Sequence, residues 1–266
     1  MQLDQMTWPE VGRYLEKSNI VFVPVGSTEQ HGMHLPVDND WWTANEIAIR
    51  TADRVSQNNI NVLVTHPLAF GVSQHHMGFP GTITLRIQTF VDVIEDICTS
   101  LSKHGFKKIV IFNGHGGNEA ALSVAIHDLA EQIASEVYVI NWWELIIDEI
   151  RRTCDPPFFH ACDTETSMAL ALEQRVDTSK LRGEVPHLKP AFVKYDFFAS
   201  GPRVQCATPP MNRLTGTGSV GDPSKATKEK GEKLLSAAVN RAVEFVAEIA
   251  SNQSETDGPF QTPRHV

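Results

Sequence analysis

Short apolar runs recur along the chain, and the intervals between them carry helical spacing. Residues 19–25 (NIVFVPV) are β-branched and aromatic and end in Gly26. This pattern predicts a buried strand with loop chemistry at its carboxyl end. Residues 61–65 (NVLVT), 108–113 (KIVIFN) and 137–141 (VYVIN) predict three more strands. Between the runs, 41–57, 87–104 and 117–133 repeat apolar positions at the helical period. Strands alternating with helices imply βαβ units, hence an α/β fold whose mainly parallel sheet is covered on both faces.

Toward the carboxyl end, 223–250 places Leu235, Val239, Ala242, Val246 and Ile249 along one stripe, which predicts a long helix packed on the body. Residues 186–222 are rich in proline and glycine with little periodicity, a long irregular excursion of the kind used as a lid. A single domain is expected over 1–250, with 251–266 as a polar, fraying tail.

Charge narrows the function classes. The 266 residues carry 23 Lys+Arg against 32 Asp+Glu, a net charge of −9, which argues against nucleic-acid binding by bulk electrostatics. No apolar run approaches the roughly 18 residues of a membrane span, and the first residues lack a basic stretch leading into an apolar one. A cytoplasmic protein without membrane contact is expected. The four cysteines show no CxxC spacing and are read as reduced, packed thiols.

Three segments could carry chemistry. Just after the first strand, Glu29, His31, His34, Asp38 and Asp40 place five potential metal ligands within twelve residues. On extended backbone Glu29 and His31 point the same way. Asp40 directly precedes a helical pattern, where it would cap the helix and could still present an oxygen outward; a plain polar loop is the alternative. Asn113-Gly-His115-Gly-Gly-Asn118 follows the third strand, where open sheets bind ligands. Its glycines let His115 approach a neighbouring loop, or they cradle phosphate at a helix start, although the G-x-G-x-x-G spacing is missing. In the third segment His160 lies five residues before Glu165, which either serves the site or merely complements a helix dipole. A further stretch, 74–84, is rich in histidine, and Trp142 and Trp143 follow the fourth strand.

Five elements in order resemble the creatininase (creatinine amidohydrolase) family over nearly the whole chain. They are G-S-T-E-Q-H-G-x-H-L-P at 26–36 leading to Asp40, H-x-G-F-P-G-T at 76–82, N-G-H-G-G-N at 113–118, H-A-x(3)-E-T-S at 160–167 and S-K-A-T-x-E-K-G at 224–231. The resemblance implies a three-layer α/β/α sandwich with a central parallel sheet and two divalent ions, Zn²⁺ or Mn²⁺, with Fe²⁺ as a further option. It also implies hydrolysis of amide-type bonds in small, often cyclic substrates, and a homo-oligomer, often a hexamer. Carried over by position, Glu29 is a ligand of one ion, His31 of the other, Asp40 bridges them and His115 is a further ligand. His160 matches a proton carrier and Trp143 an aromatic cover. His34, His76, Gly116 and Gly117 complete the expected substrate pocket.

Departures from creatininase bear on specificity. The glutamate two residues after the N-G-H histidine is Gly117 here, the adjoining tyrosine is Gly116, and the acidic residue before the proton carrier is Phe159. Glu165 is expected to supply the missing carboxylate ligand. Ring opening of a cyclic amide or imide by metal-assisted hydrolysis is the first expectation. Formamide hydrolysis, peptide trimming in cofactor maturation and cyclic diketone cleavage are relatives the family also supports. The reading from another class is a non-catalytic phosphate or nucleotide binder built on the 114–117 glycines.

Overall fold

The computed structural model describes residues 1–186, 192–194, 196–199, 201, 204, 206–207 and 209–251. In chain order the elements are α1 (Trp8–Leu15), β1 (Ile20–Val25), α2 (Asn39–Ser56), β2 (Leu63–Val64), α3 (Ile87–His104) and β3 (Lys108–Asn113). There follow α4 (Glu119–Gln132), β4 (Glu136–Asn141), α5 (Trp142–Leu145), α6 (Ile147–Thr153), α7 (Asp163–Ala171), α8 (Met211–Leu214) and α9 (Lys228–Ser251). The four strands form one parallel sheet in the order β2-β1-β3-β4, with Ile20 opposite Lys108 and Val25 opposite Asn113.

Alternation along β1 and β3 builds the layers, because successive side chains leave a strand on opposite faces. Ile20, Phe22, Val110 and Phe112 pack into a core with Ile47 and Val55 of α2, Met168 of α7 and Leu234, Ala238 and Val246 of α9. Val21, Val23, Ile109 and Ile111 pack into the opposite core with Phe90 and Ile94 of α3 and Leu122 and Leu129 of α4. The expected α/β/α sandwich is therefore present. Residues 252–266 of the expected tail lie outside the described residues.

Several elements differ from expectation: the second strand is two residues long instead of five, and the short helices α5, α6 and α8 are additional. Pro24 bears on the carboxyl end of that strand. The carbonyl of Pro24 faces the β2 side, where it accepts from Leu68 N at 2.9 Å. On a strand the N–H of the same residue would point that way too, so a longer β2 would meet a proline with no donor. The helix α1 was not among the expected elements, although Thr7 and Glu10 form a capping box around it. It buries none of its eight residues.

Candidate metal centre

β1 connects outward to β2, and β3 to β4 on the other side, so the loops leaving β1 and β3 meet where the strand order reverses. That crevice is where open α/β sheets bind ligands. Gly114 permits the meeting, since a Cβ there would lie 2.1 Å from the Asp40 carbonyl oxygen.

Asp40 sits within the first turn of α2, whose N-cap is Asp38, so it is not the cap expected from the sequence. Its side chain is 2% exposed and turned inward. Oδ1 lies 2.8 Å from His31 Nε2, and Oδ2 lies 3.1 Å from His115 Nδ1. The other nitrogen of each ring faces a backbone carbonyl: His31 Nδ1 is 3.2 Å from Glu29 O, and His115 Nε2 is 3.1 Å from Val72 O. A carbonyl can only accept, so these outer nitrogens carry the protons. In the neutral rings, lone pairs on His31 Nε2 and His115 Nδ1 would then be aimed at the two oxygens of Asp40.

Protons on these inner nitrogens or a metal cation in their place would close the contact with Asp40. The buried atoms His31 Nε2, Asp40 Oδ2 and Glu29 Oε1 have no aligned hydrogen-bond partner, and lone pairs so left fit a divalent metal. Glu29 completes the group, its Oε2 accepting from Ser73 Oγ and lying 3.3 Å from His115 Nε2. Ligand atoms of Glu29, His31 and Asp40 lie within 4.8 Å of one another, as do those of His31, His160 and Glu165, and those of Glu29, His76 and His160. The buried carboxylates Glu29 and Asp40 and the half-buried Glu165 gather here, and no Lys or Arg is among the described residues lining the cavity. Burial pushes Glu29 and Glu165 up to about 7. Burial opposes charge on His31 and His115 as well, but the neighbouring carboxylates outweigh it and hold them up at about 10 and about 9. At neutral pH without metal both inner nitrogens therefore also carry protons, which a bound metal would displace. Asp40, facing both rings, stays well below the usual carboxylate range despite its burial.

His160 closes the site from the α7 side. Its backbone pairs with Val220 in both directions, N to O at 3.2 Å and O from N at 2.8 Å. The ring puts Nε2 2.8 Å from Gln30 O and Nδ1 3.8 Å from Glu29 Oε1. Burial, with the charge of His31, holds its pKa well below the ordinary histidine value, so the ring is neutral. Glu165 lines the same cavity, and its Oε2 accepts from Ala161 N.

Gly117 leaves no room for a carboxylate: a Cβ would lie 2.3 Å from His115 Nε2 and 2.4 Å from Val72 O. At Gly116 a Cβ would lie 2.7 Å from Phe197 Cζ, because that ring covers the loop. Phe197 stacks between Trp143, with centroids 5.9 Å apart, and Phe159, at 5.1 Å. The aromatic absent at position 116 is thus replaced from the irregular excursion. Beneath these rings the cavity holds about 60 Å³ of water-accessible volume. The phosphate cradle is not formed: 116–118 make one 3₁₀ turn, with Gly116 under Phe197 and Gly117 against the His115 ring.

Of the expected pocket residues, Trp143, His76, Gly116 and Gly117 line the cavity and His34 does not. Residues 31–35 form a tight turn, Leu35 N bonding to His31 O at 3.3 Å, and His34 Nε2 ends 2.8 Å from Thr166 Oγ1 of α7. Four residues at the site were not singled out from the sequence. Gln30 and Ser73 lie within the quoted segments or beside them, and His75, stacked on His115 at 5.9 Å, adjoins His76. Phe197 carries no sequence signal, since it lies in an aperiodic stretch.

A switch-point crevice lined by carboxylates and histidines, under an aromatic cover, defines a metal-dependent hydrolase of the α/β class. The chain belongs to the creatininase family, whose model, creatinine amidohydrolase, matches residues 4–246. It is similar to a 3-dehydro-scyllo-inosose hydrolase of Thermotoga maritima, 28% identical over 92% of this chain and 82% of the relative. A mycofactocin precursor peptide peptidase of Mycolicibacterium smegmatis is 32% identical over 83% of this chain and 81% of its own. A solved creatininase with Mn shares the fold at a TM-score of 0.76 and 26% identity, over 94% of this chain and 99% of the other.

Proposed function

We propose that this protein opens a small cyclic amide or imide, using two divalent ions, Zn²⁺ or Mn²⁺, bridged by Asp40. The observation that carries this reading is the pair of histidine nitrogens, His31 Nε2 and His115 Nδ1, aimed at opposite oxygens of one buried carboxylate. Glu29 and His115 would hold one ion with Asp40, and His31 and Glu165 the other. Fe²⁺ has suitable ligands in the same set. When bound, such ions polarise a carbonyl and lower the pKa of a water.

The remaining roles fall to the chain's own residues. His160 is neutral and presents Nδ1 to the site, where it takes up a proton and passes it to the leaving nitrogen. Trp143 and Phe197 form a wall that excludes bulk water and orients a flat ring. The relatives include proteins named for a keto-inositol, a peptide and creatinine. The narrow cavity under Phe197 favours a small ring over a peptide end, and a formamide or a cyclic diketone is the next candidate. By the same reading the enzyme works in the cytoplasm as a homo-oligomer, with a hexamer expected from light scattering.

Metal analysis of protein purified without chelator tests the centre. About two ions per chain are expected, with loss of both in Asp40→Ala and of one in Glu165→Gln. His160→Ala should keep its metal and lose most of kcat on whichever cyclic amide turns over. No metal in the parent protein would overturn the centre, and an unchanged rate in His160→Ala would overturn the proton role.

A further inference from the structure

Gln30 lies between two histidines that could each be a ligand, a proton carrier or a donor. Its amide orientation is decided by backbone: Gly32 N donates to Oε1 at 2.9 Å, and Nε2 donates to Gly218 O at 3.0 Å. Gly218, at φ +86°, is shaped for this contact, since a Cβ there would lie 2.0 Å from Gln30 Oε1. Nε2 has one hydrogen left and two ring nitrogens within reach, His76 Nδ1 at 2.7 Å and His160 Nε2 at 3.0 Å. The backbone carbonyl of the same residue resolves the choice. It lies 2.8 Å from His160 Nε2 and can only accept, so that nitrogen carries a proton. The last amide hydrogen then goes to His76 Nδ1.

We infer that Gln30 is a positioning residue that assigns the two histidines opposite duties, through its side-chain amide for His76 and its carbonyl for His160. His76 is held with its proton on Nε2, 3.3 Å from Glu29 Oε1 but not aligned with it as a hydrogen bond, and is thereby withheld from metal. His160 is held with its proton on Nε2 and its lone pair on Nδ1, facing the site. Of the three candidate ligand groups, the one containing Glu29, His76 and His160 is therefore disfavoured, because its His76 nitrogen is already protonated. The duty given to His160 rests on the hydrolase reading above, whereas the proton positions do not.

Neutron diffraction from perdeuterated protein reads those positions directly and requires neither metal nor turnover. Deuterium on Nε2 of both His76 and His160 is expected; deuterium on Nδ1 of either neutral ring would overturn the inference. Gln30→Met removes the amide hydrogen given to His76 Nδ1 and leaves the backbone carbonyl in place, so the deuterium of His76 should no longer be confined to Nε2 while that of His160 stays. A His76 proton that remains wholly on Nε2 in this variant would equally overturn the role of the amide. If Gln30→Met fails to fold, the wild-type map decides alone. Failure of the hydrolase reading would appear separately, as absent metal or absent turnover with the proton positions unchanged.

Discussion

Gly117→Ala tests how tightly the metal centre is packed. The new methyl would sit 2.3 Å from His115 Nε2 and 2.4 Å from Val72 O, more than 1 Å inside ordinary contact. Neither neighbour yields easily, because Val72 O is backbone and the His115 ring is held between it and Asp40. Overpacking of this kind costs about 1–3 kcal/mol. At roughly 2–4 °C per kcal/mol for a domain near this size, the melting temperature of the metal-free protein should fall by roughly 2–12 °C. Tilting the ring away from Val72 also removes the bond that orients it, and outer-shell losses of this type weaken metal binding by about 10–100-fold. Differential scanning fluorimetry gives the first quantity and competition with a fluorescent chelator the second. Gly116→Ala is the control, since its methyl meets only the tip of the Phe197 ring at 2.7 Å, which can swing outward with little effect on metal. A Gly117→Ala protein that melts within about 1 °C of the parent and binds metal equally well would refute the packing described for His115.

Other predictions follow from groups away from the centre. Burial pushes the thiols of Cys98, Cys154 and Cys162 up to about 12, and Cys206 is exposed. A disulfide reagent at neutral pH should therefore modify one thiol quickly and Cys206→Ser should abolish that phase; rapid modification of the other three would contradict their burial. Asp148 of α6 receives two 2.7 Å hydrogen bonds from Arg241 of α9, which pull its carboxyl down to about 2. Because the folded value lies below the unfolded one, about 3.9, this pair stabilises above that pH and the benefit is lost as pH falls toward about 2. The gap in urea midpoint between parent and Arg241→Met should narrow over that interval, and a gap constant with pH would rule the pair out as its source.

The sheet was legible because its strands are short β-branched runs whose neighbours are helices, and all four runs became strands. The end of β2 at Val64 was not, since it depends on a proline in another strand. At the site, Glu29, His31 and Asp40 stood out through the density of ligand types in one loop. His34 belongs to the same run, but a turn confined to residues 31–35 sends it toward α7. Gln30 and Phe197 were hidden for a different reason. The duty of Gln30 depends on a carbonyl 188 positions away, and the place of Phe197 depends on the space over Gly116. Such pairings exist only after folding and leave no local period to read.

The irregular excursion starts and ends at one spot. Glu184 and Val220 form an isolated parallel β-bridge, Gly221 N bonds to Glu184 O at 3.0 Å, and Val220 is in turn tied to the backbone of His160. The ends of the stretch between them thus meet beside His160, and its Phe197 and Phe198 line the cavity. Each doubling of such a loop costs only about 0.6 kcal/mol in closure entropy. Its length can therefore change at little cost, or a relative's loop be grafted across the Glu184 and Val220 junction, provided that Gly218, which holds Gln30, is kept. New substrates can thereby be acquired on an old centre by exchanging one interchangeable part.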